Sequence, residues 1–257
     1  MGRVLAVVSQ KGGVGKTTSS VNLAAGLVRQ GKRTLLIDLD PQAHATLSVG
    51  LDPDTFEGPT MSDALLAEGA SVSDVMIPTY LEGLMLAPAT LALSKADSLL
   101  HTRHFREQRL KHALESLKSF DYVIIDCQPT LGVLPVNAIV AADHFLIPVQ
   151  PSGYALRGLG DLLETLHSIR RLIPGWDYRI LLTMVNAQAT VTNQLVERIL
   201  EPLQAKLLTT RIGRCEALNR SPMQEHPRDI LSFAPQSRAA TDYHNLTQEI
   251  LCLWPSL

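Results

Sequence analysis

The 257-residue sequence predicts an α/β fold, a doubly wound, mostly parallel sheet with helices on both faces. Three observations carry that prediction. Short β-branched runs alternate with helical patterns along nearly the whole length. The first run passes through a glycine-rich turn straight into a helix. Two later runs, 34–40 (TLLIDLD) and 122–126 (YVIID), are apolar until they meet aspartate, as strands buried on both faces are.

Residues 4–8 form the first strand, and 9–18 read Ser-Gln-Lys-Gly-Gly-Val-Gly-Lys-Thr-Thr before a helical pattern over 19–29. Gly12, Gly13 and Gly15, with Val14 between them, let the backbone approach an anion so that successive N–H groups form a cradle. The helix that opens past Thr18 adds the partial positive charge of its N-terminus. In such a loop Lys16 reaches the β- and γ-phosphates and the Thr17 hydroxyl ligates Mg²⁺. The loop is therefore predicted to hold a nucleoside triphosphate. Gln10 replaces the first glycine of the common phosphate-loop pattern, and a second lysine, Lys11, stands inside the loop. A dinucleotide fingerprint is excluded, because Thr18 stands where its third glycine belongs.

The strand 34–40 turns Asp38 and Asp40 to one side at its carboxyl end, where doubly wound sheets place their ligands. Asp40 can act on a substrate or cap a helix with Pro41 at its first position; the two roles are compatible. Pro53, Gly58 and Pro59 mark a loop, followed by a helix over 61–69 and a shorter strand over 84–86. A helix over 103–118 precedes the strand 122–126, whose closing Asp126 would hold Mg²⁺ through water. Strands over 144–149 and 179–185 and helices over 155–172, 191–205 and 237–252 complete the pattern. Asn186, just after a strand, is placed to read an adenine edge or to form a turn.

The composition, 46% hydrophobic and 19% charged, excludes extended disorder, and one domain over 1–257 is expected. A net charge of −2 means that any nucleic-acid contact must use a local patch. Cys127, Cys215 and Cys252 are widely spaced and read as reduced thiols. No apolar run approaches the roughly 20 residues that span a bilayer, so a cytoplasmic protein is expected.

Lys11 ahead of the paired glycines resembles the deviant Walker A motif of the ParA/MinD family of P-loop ATPases. Asp38-Leu39-Asp40-Pro41-Gln42 resembles that family's A′ motif, and Cys127-Gln128-Pro129-Thr130-Leu131-Gly132 its switch region, with Gln128 in place of a proline. The segments HFLIPVQPSGYALRGLGDLL and FAPQSRAATDYHNLTQEI extend the likeness over nearly the whole chain. The resemblance implies ATP and Mg²⁺ as cofactors and an ATP-sandwiching homodimer. It further implies Lys11 acting on the partner's nucleotide, Asp40 positioning the attacking water, and Asp38 supporting the metal. Slow hydrolysis, stimulated by a ParB-type partner, would drive segregation of chromosomal or plasmid DNA. A positioning ATPase for a protein cargo and a protein-only switch remain alternatives.

The chain departs from the family pattern at Ser152, Gly153 and His44, and Ala217 replaces an arginine commonly tied to DNA. Arg211, Arg214, Arg220, Arg228 and Arg238 could supply non-specific phosphate contacts instead, or form an ordinary solvated surface. Arg103, Arg106, Arg109 and Lys111 make a second basic stretch whose spacing mixes faces. A family-type N-terminal helix-turn-helix is not expected, nor is a MinD-like basic membrane helix after Arg238. The apolar C-terminal residues are expected to pack on the domain, and the ATP-bound form to associate with the nucleoid.

Overall fold

The computed structural model describes residues 2–130, 132–170 and 175–256, except the side chains of 153–157. Its strands are β1 (Arg3–Val7), β2 (Thr34–Leu39), β3 (Ile77–Pro78), β4 (Leu84–Ala87), β5 (Tyr122–Cys127), β6 (His144–Val149), β7 (Asp177–Val185) and β8 (Leu207–Gly213). They form one sheet in the order β3-β4-β2-β5-β1-β6-β7-β8, parallel except for the β3–β4 pair. The chain leaves β1 for β2 on one side, while β6 and β7 build outward on the other. That reversal opens a crevice at the carboxyl end of β1. Every residue of β2, β5 and β6 is buried, because helices cover both faces of a parallel sheet.

The helices are α1 (Lys16–Arg29), α2 (His44–Ser48), α3 (Met61–Leu66), α4 (Ala92–Leu100), α5 (Arg109–Leu114), α6 (Val133–Ala141), α7 (Gly153–Arg170), α8 (Thr190–Leu200), α9 (Glu216–Arg220), α10 (Ile230–Phe233) and α11 (Arg238–Leu253). Two apolar clusters lie on opposite faces of the sheet. One gathers Val4, Ile37, Ile125 and Phe145 with Leu93, Leu110, Leu134 and Leu162. The other gathers Leu5, Leu36 and Ile124 with Leu23, Leu27, Tyr243 and Leu246.

The edge strand β8 is protected by α11: the Glu249 carboxylate accepts from Thr209 N (2.7 Å) and Thr210 N (2.9 Å), and Asp242 from Gly213 N (2.9 Å). Carboxylates on those amides deny an incoming strand its partners. At the amino ends of the strands the C-terminal residues pack down as expected. Trp254 stacks on His144 (4.6 Å between centroids), donates to Asp177 Oδ2 (3.2 Å) and accepts from the Tyr122 hydroxyl (2.8 Å).

Several predicted elements are redrawn. The expected helix 103–118 is a 3₁₀ turn over Arg106–Gln108 followed by α5. Phe105 adopts φ +53°, which breaks a continuous helix, and Asn137 of α6 pins the turn by binding Arg106 O (2.7 Å) and Leu110 N (3.0 Å). The helix expected over 191–205 ends at Leu200, where Pro202 opens a 3₁₀ stretch. The strand β8 and the helices α4 and α6 were not expected from periodicity. On α6 Val133, Leu134, Ala138 and Ile139 are all buried, so no polar face marks a helical period. The predicted end of the helix 155–172 lies outside the described residues, as does Leu131.

Candidate nucleotide site

The loop between β1 and α1 has the shape its glycines allow. Gly13 and Gly15 take φ +71° and +84°, a left-handed conformation that a side chain would resist, and Gly15 caps α1. The Thr183 hydroxyl on β7 donates to Val14 O (2.8 Å), tying the loop to the sheet. Lys16 is buried and donates to Lys11 O (3.3 Å). Burial pushes its ammonium below the ordinary lysine value, against the pull of Asp126, Cys127 and Asp40.

Three strand ends bring the carboxylates to this loop. Val7, Asp126 and Asp38 are register partners across β1, β5 and β2, so the two aspartates lie side by side at the carboxyl edge. Thr17 Oγ1 donates to Asp126 Oδ2 (2.7 Å), and Ser20 Oγ donates to Asp126 Oδ1 (2.8 Å). Burial, then the neighbouring Asp38, pushes the Asp126 carboxyl up; burial is also the leading cause of the rise at Asp38. Cys127 is buried with its thiol pushed far up, which makes it a packed, unreactive side chain.

Asp38 organises the loop that follows it. Its Oδ1 accepts from Asp40 N (3.1 Å), and its Oδ2 from Thr46 N (2.7 Å) and Thr46 Oγ1 (2.8 Å). Asp40 is almost buried, and its Oδ1 accepts from Gln42 N (2.9 Å) in a tight turn. The helix-cap alternative for Asp40 is corrected: α2 begins at His44, capped by Ala43 with φ +53°. The turn uses up Pro41 and Gln42 before a helix can start.

A cavity of about 310 Å³ adjoins the loop, with Gly15 and Thr18 on one wall and Met184, Arg214, Cys215 and Asn219 on another. Asn186 is not among its lining residues; it sits exposed, with Oδ1 accepting from Gln188 N (3.1 Å), so the turn-forming alternative describes its place. Sequence reasoning named Gly15 and Thr18 but missed Ser20, Thr46, Thr183 and the cavity residues Met184, Leu218, Asn219 and Tyr243. Ser20 alone left a signal, standing one helical turn after Thr17 on the same face.

The basic residues are dispersed among local partners. Arg211 pairs with Glu197 (2.7 Å), Arg238 lies 3.9 Å from Asp242, and Arg214 Nε donates to Met184 O (3.3 Å). Arg220 and Arg228 sit over the rings of Phe233 (6.0 Å) and Tyr80 (5.3 Å). Arg109 caps the end of α3 through Leu65 O (2.9 Å) and Ala67 O (2.9 Å). No described helix is long and apolar enough to cross a membrane.

Known proteins share this sequence and architecture. A family model for an AAA domain matches residues 2–174. The sporulation initiation inhibitor protein Soj of Bacillus subtilis is 40% identical over 97% of this chain and 98% of its own. The chromosome partitioning protein ParA of Myxococcus xanthus is 37% identical over 98% and 88%. Among solved structures, cobyrinic acid a,c-diamide synthase of Mycobacterium smegmatis with bound ATP analog and magnesium superposes with TM-score 0.84, at 34% identity, over 99% of this chain and 96% of that one. A putative plasmid partition protein of Borrelia burgdorferi bound to AMPPNP gives TM-score 0.81, at 25% identity, over 98% and 100%. With that much of its length shared, and with the phosphate loop, Asp38, Asp40 and Asp126 gathered at one crevice, the chain belongs to the ParA/Soj family of deviant Walker A P-loop ATPases.

Proposed function

We propose that residues 1–257 work as one Mg²⁺- and ATP-dependent switch that dimerises around ATP and hydrolyses it to drive DNA segregation. The observation that carries this reading is the convergence of Lys16, Thr17 and Asp126 at the β1 crevice, beside a second lysine that no described carboxylate neutralises. The donor set fits Mg²⁺. Thr17 and Asp126 offer hard oxygens, and two buried carboxyls, each pushed up by burial and by a neighbouring aspartate (Asp38 beside Asp126, Asp40 beside Asp38), are groups that a divalent cation would relieve. Bound there, the ion would neutralise charge on the phosphate oxygens.

The backbone of Gly12 to Gly15 and the amino end of α1 cradle the phosphates, while Lys16 exchanges Lys11 O for a phosphate oxygen. Thr18 and the adjoining cavity would take the ribose and base. Asp40, fixed through Oδ1 by Gln42 and through its amide by Asp38, has Oδ2 to orient the attacking water. Lys11 would neutralise phosphate charge in the other subunit, in a site that excludes water. A ParB-type partner would stimulate the step, and the ATP dimer would bind duplex DNA non-specifically through the Arg211, Arg214, Arg220, Arg228 and Arg238 region, on the nucleoid. Local partners for all five arginines, together with Ala217, favour a second reading, a switch that addresses protein alone.

Asp40→Ala should bind ATP, fail to hydrolyse it and accumulate as a dimer in light scattering; a monomeric variant in saturating ATP would refute the sandwich. Retention on random duplex DNA with ATP, ADP or no nucleotide, across a salt series, separates the two readings. Retention only with ATP, falling steeply with salt, supports DNA binding. Dimerisation without retention supports the protein-only switch.

A further inference from the structure

Lys11 and Lys16 share one glycine-rich loop, yet the fold holds their ammonium groups apart. Lys16 Nζ turns inward to Lys11 O (3.3 Å). Lys11 Nζ instead donates to Gln150 Oε1 (3.4 Å) and to Ser152 Oγ (3.3 Å). Gln150 and Ser152 lie in the bend just past the end of β6, so the holder belongs to a different segment from the loop it restrains. Both acceptors are neutral, and among the described residues no carboxylate pairs with Lys11. Contacts of this length are weak, and the ammonium charge is left uncompensated. Lys11 is thus held in direction and released at little cost. A carboxylate at either position would make a charge-assisted bond roughly twice as strong.

We propose that Gln150 and Ser152 are positioning residues that hold Lys11 in its own subunit before association and release it to a phosphoryl oxygen of the nucleotide bound by a second copy of this chain. The proposal rests on the dimerising reading above and adds which side chains set the ease of the transfer. It gives the neutral serine at position 152 a consequence: the holder competes only weakly with the partner's triphosphate.

The test uses the full chain, a Ser152→Asp variant and a Gln150→Ala/Ser152→Ala double variant, with two readouts. The first is the protein concentration at which ATP drives half-dimerisation, by light scattering. The second, without nucleotide, is the rate at which an amine-reactive ester acylates Lys11, read by peptide mass spectrometry against exposed Lys111. Ser152→Asp should slow Lys11 acylation several-fold and raise the half-dimerisation concentration about tenfold, as an ion pair replaces a neutral contact. The double variant should speed acylation and lower that concentration a few-fold. Equal Lys11 rates in all three proteins would overturn the holder. Altered rates with an unchanged half-dimerisation concentration would overturn its role in transfer. Wild-type protein that stays monomeric in ATP would instead sink the dimerising reading itself.

Discussion

Replacing Thr46 by valine should detach the loop that carries Asp40 while leaving the core packed. Thr46 is fully buried on α2, and its hydroxyl is used twice: it donates to Asp38 Oδ2 (2.8 Å) and accepts from Ala89 N (3.0 Å). Valine matches the shape, so no cavity opens, but both bonds are lost. The bond to a charged acceptor is worth about 1.5–3 kcal/mol, and the stranded amide of buried Ala89 costs about 1–3 kcal/mol. Sharing one atom, the two losses do not add fully, and about 3–4 kcal/mol is expected. With a urea slope of about 2–3 kcal/mol/M, the unfolding midpoint should fall by about 1–2 M. The hydroxyl also holds the Asp38 carboxyl down against burial, so its loss drives that carboxyl further up. Thr46→Ser keeps both bonds and drops one buried methyl, a loss of about 1 kcal/mol. A Thr46→Val midpoint within about 0.3 M of wild type, or a serine variant as damaged as the valine, would refute the reasoning.

Thr183→Val should leave Val14 O without its partner, lower stability by about 1–2 kcal/mol and weaken nucleotide binding by loosening the loop; calorimetric affinity equal to wild type would count against it. Gly26→Ala places a Cβ 2.1 Å from Thr247 Oγ1 where α1 meets α11, and should cost about 1–3 kcal/mol, measured by thermal unfolding. Adding Thr247→Ala should restore most of that loss. Burial lowers the His144 pKa below its ordinary 6.5, opposed by Asp143 and Asp177 and aided by Arg3 and Arg179. As pH falls through 6.5 the unfolded chain therefore takes up a proton that the folded chain refuses, and the stability present above 6.5 is lost toward the lower folded value. His144→Phe keeps a ring against Trp254 and should flatten that slope in urea midpoints between about pH 7 and 5.

The sequence by itself determined what local chemistry dictates. Glycines at 12, 13 and 15 permit a backbone cradle that other residues would resist, and the apolar runs ending in Asp38 and Asp126 have the composition of strands buried on both faces. Period and composition also located β1, β2, β5, β6 and β7 to within a few residues. What crosses between elements was decided by the tertiary structure alone. The register that sets Asp38 beside Asp126 depends on strand order, and no spacing along the chain encodes that order. Thr46 reaches back from α2 to Asp38, and Thr183 from β7 across to Val14, contacts whose geometry emerges only on packing. Phe105 breaks a helix whose periodicity is sound, because Asn137 captures the turn after it and that contact outweighs intrinsic propensity. The arginines near the C-terminus read as one cluster along the chain, yet folding gave each its own carboxylate, carbonyl or aromatic ring. Sequence proximity counts charges, whereas only packing decides what each of these exposed side chains touches.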